Sequence, residues 1–314
     1  MANSKSFAND LPDQMDRLVP YGPANVMLLE VFNLPVMERI AKLECTKDDI
    51  ILCTFPKSGT IWVEAIGSSI LRAKEGQPID ESAADARRDW LFIDISFRIH
   101  DDKYPIDLAE ELPHPRMLRT HMSYELLPAS ARANKTKLIF VHRNIKDTIV
   151  SMFSMYGNMK NLSCAHPVKS LEHFAEGFMQ DKVHHAPYFH MFKSYWEHRH
   201  EPNVHYVSYE QLHEDAPAEI KRLADFMGKP LTEQQAQQIA HYTSFQNMSK
   251  NDKLNMEKYL TVNDPVTGEV LFKYMRKGKV ANWKEHFSEE MSKKLDDWIE
   301  RECRKYGLDA SLFQ

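Results

Sequence analysis

"DIILCTFPKSGTIWVEAI", residues 49–66, decides how this chain folds. The run from Ile50 to Phe55 is short, apolar and rich in β-branched residues, which predicts a buried strand. From Thr60 onward apolar residues recur at helical spacing, so a helix is expected to about Lys74. Pro56, Lys57, Ser58 and Gly59 stand between them. Strand, tight turn and helix is the geometry that sets an anionic group on helix N-terminal amides. Gly59 lets the backbone approach closely or take a positive φ. Ser58 and Thr60 offer hydroxyls and Lys57 a charge. The lysine precedes the glycine, whereas in the G-x-x-x-x-G-K-[ST] phosphate loop it follows one, so no Mg²⁺ site of that type is implied. A plain β–α turn bearing a lysine fits the same residues equally well.

Outward from this stretch, strands are expected at "RMLRTH" (116–121, after the breaker "LPHP"), "KLIFVH" (137–142) and "VHYVSY" (204–209). Helices are expected from about Pro35 to Leu43, from near Asn144, over "SLEHFAEGFM", "YFHMFKSYWEH" and "TEQQAQQIAHY", and from about Ser288 to Lys305. "DAPAEIKRLADFMG" is a further helix, closed by Gly228. Residues 1–25 read as irregular and 75–90 as looped, while 249–282, with mixed charge and little periodicity, read as a lid over a ligand. Strands alternating with helices predict an α/β fold: one domain over residues 1–314 with a central parallel sheet flanked by helices. Ligands in such sheets bind at the carboxyl ends of the strands.

The 314 residues, 43% hydrophobic and 27% charged, have ordinary globular composition. A net charge of −5 gives no positive field for nucleic acid. No run approaches the roughly 20 apolar residues of a membrane span, and the N-terminal segment has no signal-peptide core, so a cytoplasmic, membrane-free protein is expected. Cys45, Cys53, Cys164 and Cys303 form no C-x-x-C pair and read as reduced thiols. In that setting the sequons at Asn134, Asn161 and Asn247 are chance matches.

Four further motifs carry candidate chemistry. "VHRNIKDTIVS" (141–151) puts Arg143 at a strand end, Asn144 at a helix N-cap and Ser151 off the apolar stripe of Ile149, Val150 and Phe153. Arg143 and Ser151 could grip a second phosphate, or be an ordinary surface arginine and helix serine. "LRTH" (118–121) places His121 at a strand end, where a neutral imidazole can take a proton from a hydroxyl near pH 7; it is one of 15 histidines. "MRKGKVANWKEHF" (275–287) is either a phosphate clamp or a solvated charge run. "YTSFQNMSK" (242–250) offers Thr243 and Ser244 beside Phe245 and Met248, suited to an adenine or to packing on the core. His184, His185, His190, His198 and His200 have no metal-ligand spacing and read as ordinary helix and surface histidines.

In this order, "FPKSGTIW", "RTH", "RNIKDTIVS", "VSYEQL", "TSFQNM" and "RKGKVANWKEHF" resemble the cytosolic sulfotransferase family, which uses 3′-phosphoadenosine 5′-phosphosulfate (PAPS). The resemblance runs from about residue 35 to 300 and implies a P-loop-like nucleotide-binding topology. It implies that Lys57, Ser58, Gly59 and Thr60, with Ile61 beside them, form the 5′-phosphosulfate loop, and that Trp62 stacks on adenine. Arg143 and Ser151 correspond to the 3′-phosphate pair, joined by Arg276, Lys277 and Gly278. Tyr209, Thr243, Ser244, Phe245 and Met248 correspond to the rest of the nucleotide site. His121 matches the base that deprotonates the acceptor, and Lys57 the charge that neutralises the bridging oxygen as the sulfuryl group departs in line. PAP is then the product and no metal is needed.

Two positions depart from the family. Many relatives read "KTH"; Arg119 replaces that lysine, keeping its charge as a planar fork that could still assist at the sulfuryl group. The family's dimer segment often reads K-x-x-x-T-V-x-x-x-E, but "KEHFSEEMSK" puts Ser288, Glu289 and Lys293 at its T, V and E positions, so a homodimer of that kind is not matched. Acceptor walls are expected from residues 7–30, 85–105, 155–165 and 245–270, whose Phe, Tyr and Met side chains suit a small apolar alcohol or phenol, with amines also open. The rival readings are a nucleotide kinase, a dehydratase that eliminates a transient sulfate ester, and a PAPS-binding protein without catalysis.

Overall fold

The computed structural model describes residues 18–29, 34–80, 85–94, 103–158, 170–255, 262–263, 270–272 and 275–313. Its centre is five parallel strands: Ile50–Thr54 (β3), Trp90–Phe92 (β4), Met117–Thr120 (β5), Lys137–His142 (β6) and Val204–Ser208 (β7), in the order β4-β5-β3-β6-β7. Two small antiparallel pairs accompany it: Leu18–Tyr21 (β1) with Val26–Leu29 (β2), and Val262–Asn263 (β8) with Val270–Phe272 (β9). All five residues of β3 are buried, which is why its sequence runs apolar without alternation. Ile51 and Cys53 join one core and Ile50 and Leu52 the other, because successive side chains leave opposite faces of the sheet.

The helices Thr60–Arg72, Leu171–Met179, Tyr188–Trp196, Ala216–Met227, Glu233–Tyr242 and Glu289–Tyr306 lie within about two residues of the expected spans. Gly228, at φ 77, closes the fourth of these as expected. The differences have local causes. β4, in and just past a segment read as loop, has only three residues, too few for a period. Tertiary contact fixes it: Trp90 lies against Gly67, where an added Cβ would meet the indole at 2.7 Å, and its Nε1 donates to the Glu64 carbonyl at 3.0 Å. The β1–β2 hairpin falls at the end of the segment read as irregular and turns through Gly22 and Asn25, both left-handed, at φ 70 and 53. Of the expected acceptor walls, residues 7–17, 95–102, 159–165 and most of 256–270 lie outside the described residues.

Register places the site. Cys53 pairs with Thr120 and Thr54 with Val141, so the turns after β3, β5 and β6 emerge side by side from one edge. That edge is where the order of the sheet reverses direction, the crevice in which α/β sheets bind ligands.

Candidate active site

The turn after β3 is strained where the sequence put its glycine. Lys57 and Gly59 both have positive φ, 68 and 114, and an added Cβ on Gly59 would come 2.9 Å from the Tyr209 ring. The Gly59 carbonyl accepts from the Trp62 and Val63 amides at 3.1 and 3.2 Å, which starts the helix. A cavity of about 320 Å³ opens at this helix N-terminus, where the macrodipole favours anions. Lys57, Gly59, Thr60, Ile61 and Trp62 line it from the first turn. Arg143 and Ser151 line it from β6 and the helix that follows, and Tyr209 from the end of β7. Thr243, Ser244, Phe245 and Met248 form another wall, and Arg276, Lys277 and Gly278 close it. Ser58 is the exception among the expected nucleotide residues: it is fully buried, and its hydroxyl has no hydrogen-bond partner among the described residues. The cavity also takes in Lys279 of the same basic segment and His213, which no motif had marked.

Arg143 ties these walls together. Its guanidinium lies 4.2 Å above the Tyr209 ring centroid and donates to the carbonyls of Lys57 (3.4 Å) and Lys279 (3.0 Å). The two expected anion grips therefore touch. Asp147 holds the basic segment from below, its Oδ1 accepting from the Trp283 amide at 2.8 Å. Asn144 caps the intervening helix, its Oδ1 accepting from the Lys146 and Asp147 amides at 3.0 and 3.2 Å.

His121 follows β5 and lies against the same turn. Its Nδ1 is 2.7 Å from the Thr54 carbonyl oxygen and 3.0 Å from Thr54 Oγ1. A carbonyl only accepts, so Nδ1 carries the proton and Nε2 keeps the lone pair. Thr54 Oγ1 is also 2.7 Å from Thr60 Oγ1, which joins the histidine to the start of the helix Thr60–Arg72. Burial pulls the His121 pKa down to about 3, opposed by the Thr54 carbonyl and assisted by the charges of Arg119 and Lys57. Asp94 accepts from the His121 amide at 2.5 Å and from Thr120 Oγ1 at 2.6 Å. Burial raises the Asp94 pKa to about 7 against these bonds.

Arg119 is not among the residues that line the cavity. One of its guanidinium nitrogens donates to both oxygens of the buried Glu64, at 2.7 and 2.9 Å, and its Cζ lies 4.5 Å from the Phe92 ring centroid. Arginine reaches across to the helix and holds the carboxylate there, which a compact ammonium does less well. Burial raises the Glu64 pKa to about 7 even so. His184 and His185 correct the reading of ordinary helix and surface histidines. They lie in a turn, are buried, and form a row with the site: His184 to His185 is 4.9 Å between ring centroids, His185 to His121 5.4 Å. Neither they nor Thr54, Glu64 and Asp94 sit in a motif that marks them.

Comparison with known proteins shows the family and the fold. Residues 47–307 match the sulfotransferase domain family. The chain belongs to the sulfotransferase family. This sulfotransferase is 31% identical to sulfotransferase 1A1 of Mus musculus over 278 residues, covering 88% of this chain and 92% of the relative. Against sulfotransferase 1E1 of Homo sapiens it is 32% identical over 275 residues, covering 86% and 89%. Two solved structures share its fold. Retinol dehydratase in complex with retinol and PAP superposes with a TM-score of 0.80 at 23% identity, over 93% of this chain and 92% of that one. Mouse sulfotransferase SULT7A1 complexed with PAP gives 0.71 at 24%, over 91% and 95%. The family uses PAPS, and the donor set of this sulfotransferase suits such a nucleotide. Arg143 Nε and Ser58 Oγ are buried without partners among the described residues, and Gly59 and Gly278 leave room where a Cβ would clash. Loss of solvation and then the nearby Arg143 push the Arg276 pKa down, a repulsion that an anion between the two relieves. No helix among the described residues is long and apolar enough to cross a membrane.

Proposed function

We propose that the chain transfers the sulfuryl group of PAPS to the hydroxyl of a small apolar acceptor, a phenol, steroid or other alcohol, or to an amine, with His121 as the base. One observation carries this reading. The single turn 54–60 serves both sides: its Thr54 carbonyl fixes the His121 tautomer, and its Lys57 carbonyl accepts from Arg143. Lys57, Gly59, Thr60 and Ile61 hold the 5′-phosphosulfate, with Ser58 buried behind them in the same turn, and Arg143, Ser151, Arg276, Lys277 and Gly278 the 3′-phosphate. Trp62, Tyr209, Thr243, Ser244, Phe245 and Met248 enclose the adenosine. PAPS supplies the sulfuryl group and leaves as PAP.

The chain's residues divide the chemistry as follows. His121 Nε2 takes the proton as the acceptor oxygen bonds to sulfur, and Lys57 stabilises the phosphate oxygen released as the S–O bond breaks. As in phosphoryl transfer, positioning and electrostatics carry most of the rate. Arg119, held by Glu64, acts through its charge beside His121. Burial is the main depression of His121; bound anions offset the smaller part that Arg119 and Lys57 add, which moves its pKa upward. The test is a panel of phenols, sterols, retinoid alcohols and amines with ³⁵S-labelled PAPS. A labelled ester or sulfamate is expected from at least one, while His121→Ala loses about 10²–10⁴-fold in kcat with PAP affinity retained. Full turnover by His121→Ala, or no labelled product from any acceptor, refutes the proposal.

A further inference from the structure

The base needs more than a tautomer; its backbone must also stay put. The His121 amide donates to Asp94 Oδ2 at 2.5 Å. The His185 ring stands edge-on to the His121 ring, 5.4 Å between centroids, and an imidazole N–H on that side faces the His121 backbone carbonyl. Together with the bond from Nδ1 to the Thr54 carbonyl, His121 is fixed at its amide, its carbonyl and its ring.

His185 is itself held on three sides. Its backbone is left-handed at φ 63, a strained conformation for a residue with a side chain. Its amide donates to the Met27 carbonyl of β2 at 2.6 Å, and the Met27 amide returns a bond to the Ala186 carbonyl at 2.8 Å. His184 packs edge-on against its ring at 4.9 Å and is anchored in turn at Nε2, 3.0 Å from the Tyr156 hydroxyl. Only 2% of the residue is exposed, so its imidazole is committed to this contact rather than to solvent. The pairing with the β1–β2 hairpin gives that hairpin a purpose at the site: it braces the turn that braces the base.

We infer that His185 is a positioning residue for sulfuryl transfer, acting on His121 through the hydrogen bond to its carbonyl and held in place by the β2 edge. The inference rests on His121 being the base. A misplacement of about 1 Å at a reacting group costs on the order of 10²-fold. His185→Phe keeps an aromatic ring against His121 and His184 but removes the donor. His185→Asn keeps a donor, and asparagine tolerates the left-handed backbone.

The experiment measures kcat, the KM for PAPS and calorimetric PAP affinity for wild type, H185F, H185N and H121A, using the best acceptor of the panel above. Expected are a roughly 10–100-fold lower kcat for H185F, unchanged PAP affinity, and recovery to within about fivefold of wild type in H185N. Wild-type kcat in H185F overturns the inference. So does an H185N as slow as H185F, which would assign His185 to the fold alone. H121A separates the two levels: turnover retained there removes the base itself, whereas a dead H121A beside an active H185F removes only His185.

Discussion

Gly278→Ala isolates the closing segment of the proposed nucleotide cavity. Gly278 sits at φ 61, and a Cβ there would lie 2.3 Å from Phe245 Cδ2, 2.7 Å from Cγ and 3.1 Å from Cβ. The nearest atoms belong to a ring that itself lines the cavity, so neither partner can yield without changing the site. A left-handed alanine costs about 1–2 kcal/mol. Overpacking against the ring adds about 1–3 kcal/mol. Their sum, about 2–5 kcal/mol, disfavours the closed position of residues 276–279, and even its lower end is about a 30-fold loss in affinity. The segment can relax outward in the free protein, so the melting temperature without ligand should barely move. Isothermal titration with PAP measures the loss, and Gly307→Ala is the control. Gly307 is also left-handed, at φ 67, but an added Cβ meets nothing within 4 Å. That variant should lose a little stability and no PAP affinity. If Gly278→Ala binds PAP within about threefold of wild type, the basic segment is not part of the nucleotide site.

Arg143→Ala should weaken PAP by about 10–150-fold, since hydrogen bonds to charged groups contribute about 1.5–3 kcal/mol; calorimetry showing unchanged affinity would remove it from the 3′-phosphate. Glu64→Ala leaves a largely buried arginine unpaired and should cost about 3–5 kcal/mol in denaturant melts, whereas the double variant Glu64→Met/Arg119→Met recovers most of that stability. A double variant no more stable than Glu64→Ala would show that the pair is not coupled. Acid should destabilise the fold below about pH 6.5. Burial lowers His121 and His184 to about 3, His142 and His205 to about 4, and His185 as well. These depressed values mean that the unfolded chain binds more protons between about pH 4 and 6.5, so stability rises with pH there. Glu64 and Asp94, raised to about 7, and Asp181, raised to about 6, work the other way. Five imidazoles against three carboxyls leave a net slope of roughly 3 kcal/mol per pH unit near pH 5.5. A melting temperature that rises on acidification from about pH 6.5 to about pH 5 would contradict this balance.

The parts legible in the sequence are those whose signal is local. β3 and β6 are continuous apolar runs rich in β-branched residues, and Lys57, Gly59, Arg143 and Ser151 sit at fixed offsets from them. Residues that act only through tertiary contact were silent. Trp90 makes a strand because Gly67 and the Glu64 carbonyl receive it, neither of which is near it in the chain. Asp94 follows that strand, and nothing around it in the sequence announces that His121 will donate to it. His184 and His185 looked like two of many histidines, because their relation to His121 depends on a turn that only the hairpin pairing fixes. Arg119 shows the converse. Its place in "RTH" is visible, but its partner Glu64 is 55 residues earlier, so the motif names the residue without telling which way it points.

The cavity's electrostatics bear on what its binding energy is made of. Lys57, Arg143, Arg276, Lys277 and Lys279 face one space at a helix N-terminus. Asp147 lies 3.8 Å from Arg143, and Glu285 takes Lys277 at 2.6 Å, which leaves Arg143 and Arg276 to repel one another across a partly desolvated gap. A chain folded for stability alone would not gather these charges; repulsion among them lowers the stability of the free protein. A nucleotide with two separate anionic groups reverses the sign of that energy at both ends of the cavity. Much of the affinity should therefore be ionic and screened, while apolar contact with the cavity-lining rings of Trp62, Tyr209 and Phe245 would not be. PAP should raise the melting temperature strongly at low salt, as any ligand specific to the native state does, and adenosine, lacking both phosphates, should give a small shift that salt hardly changes. Equal shifts for the two, or a PAP shift indifferent to salt between about 0.05 and 0.5 M, would mean that these cations do not meet the phosphates, and the assignment of both grips would fail with them.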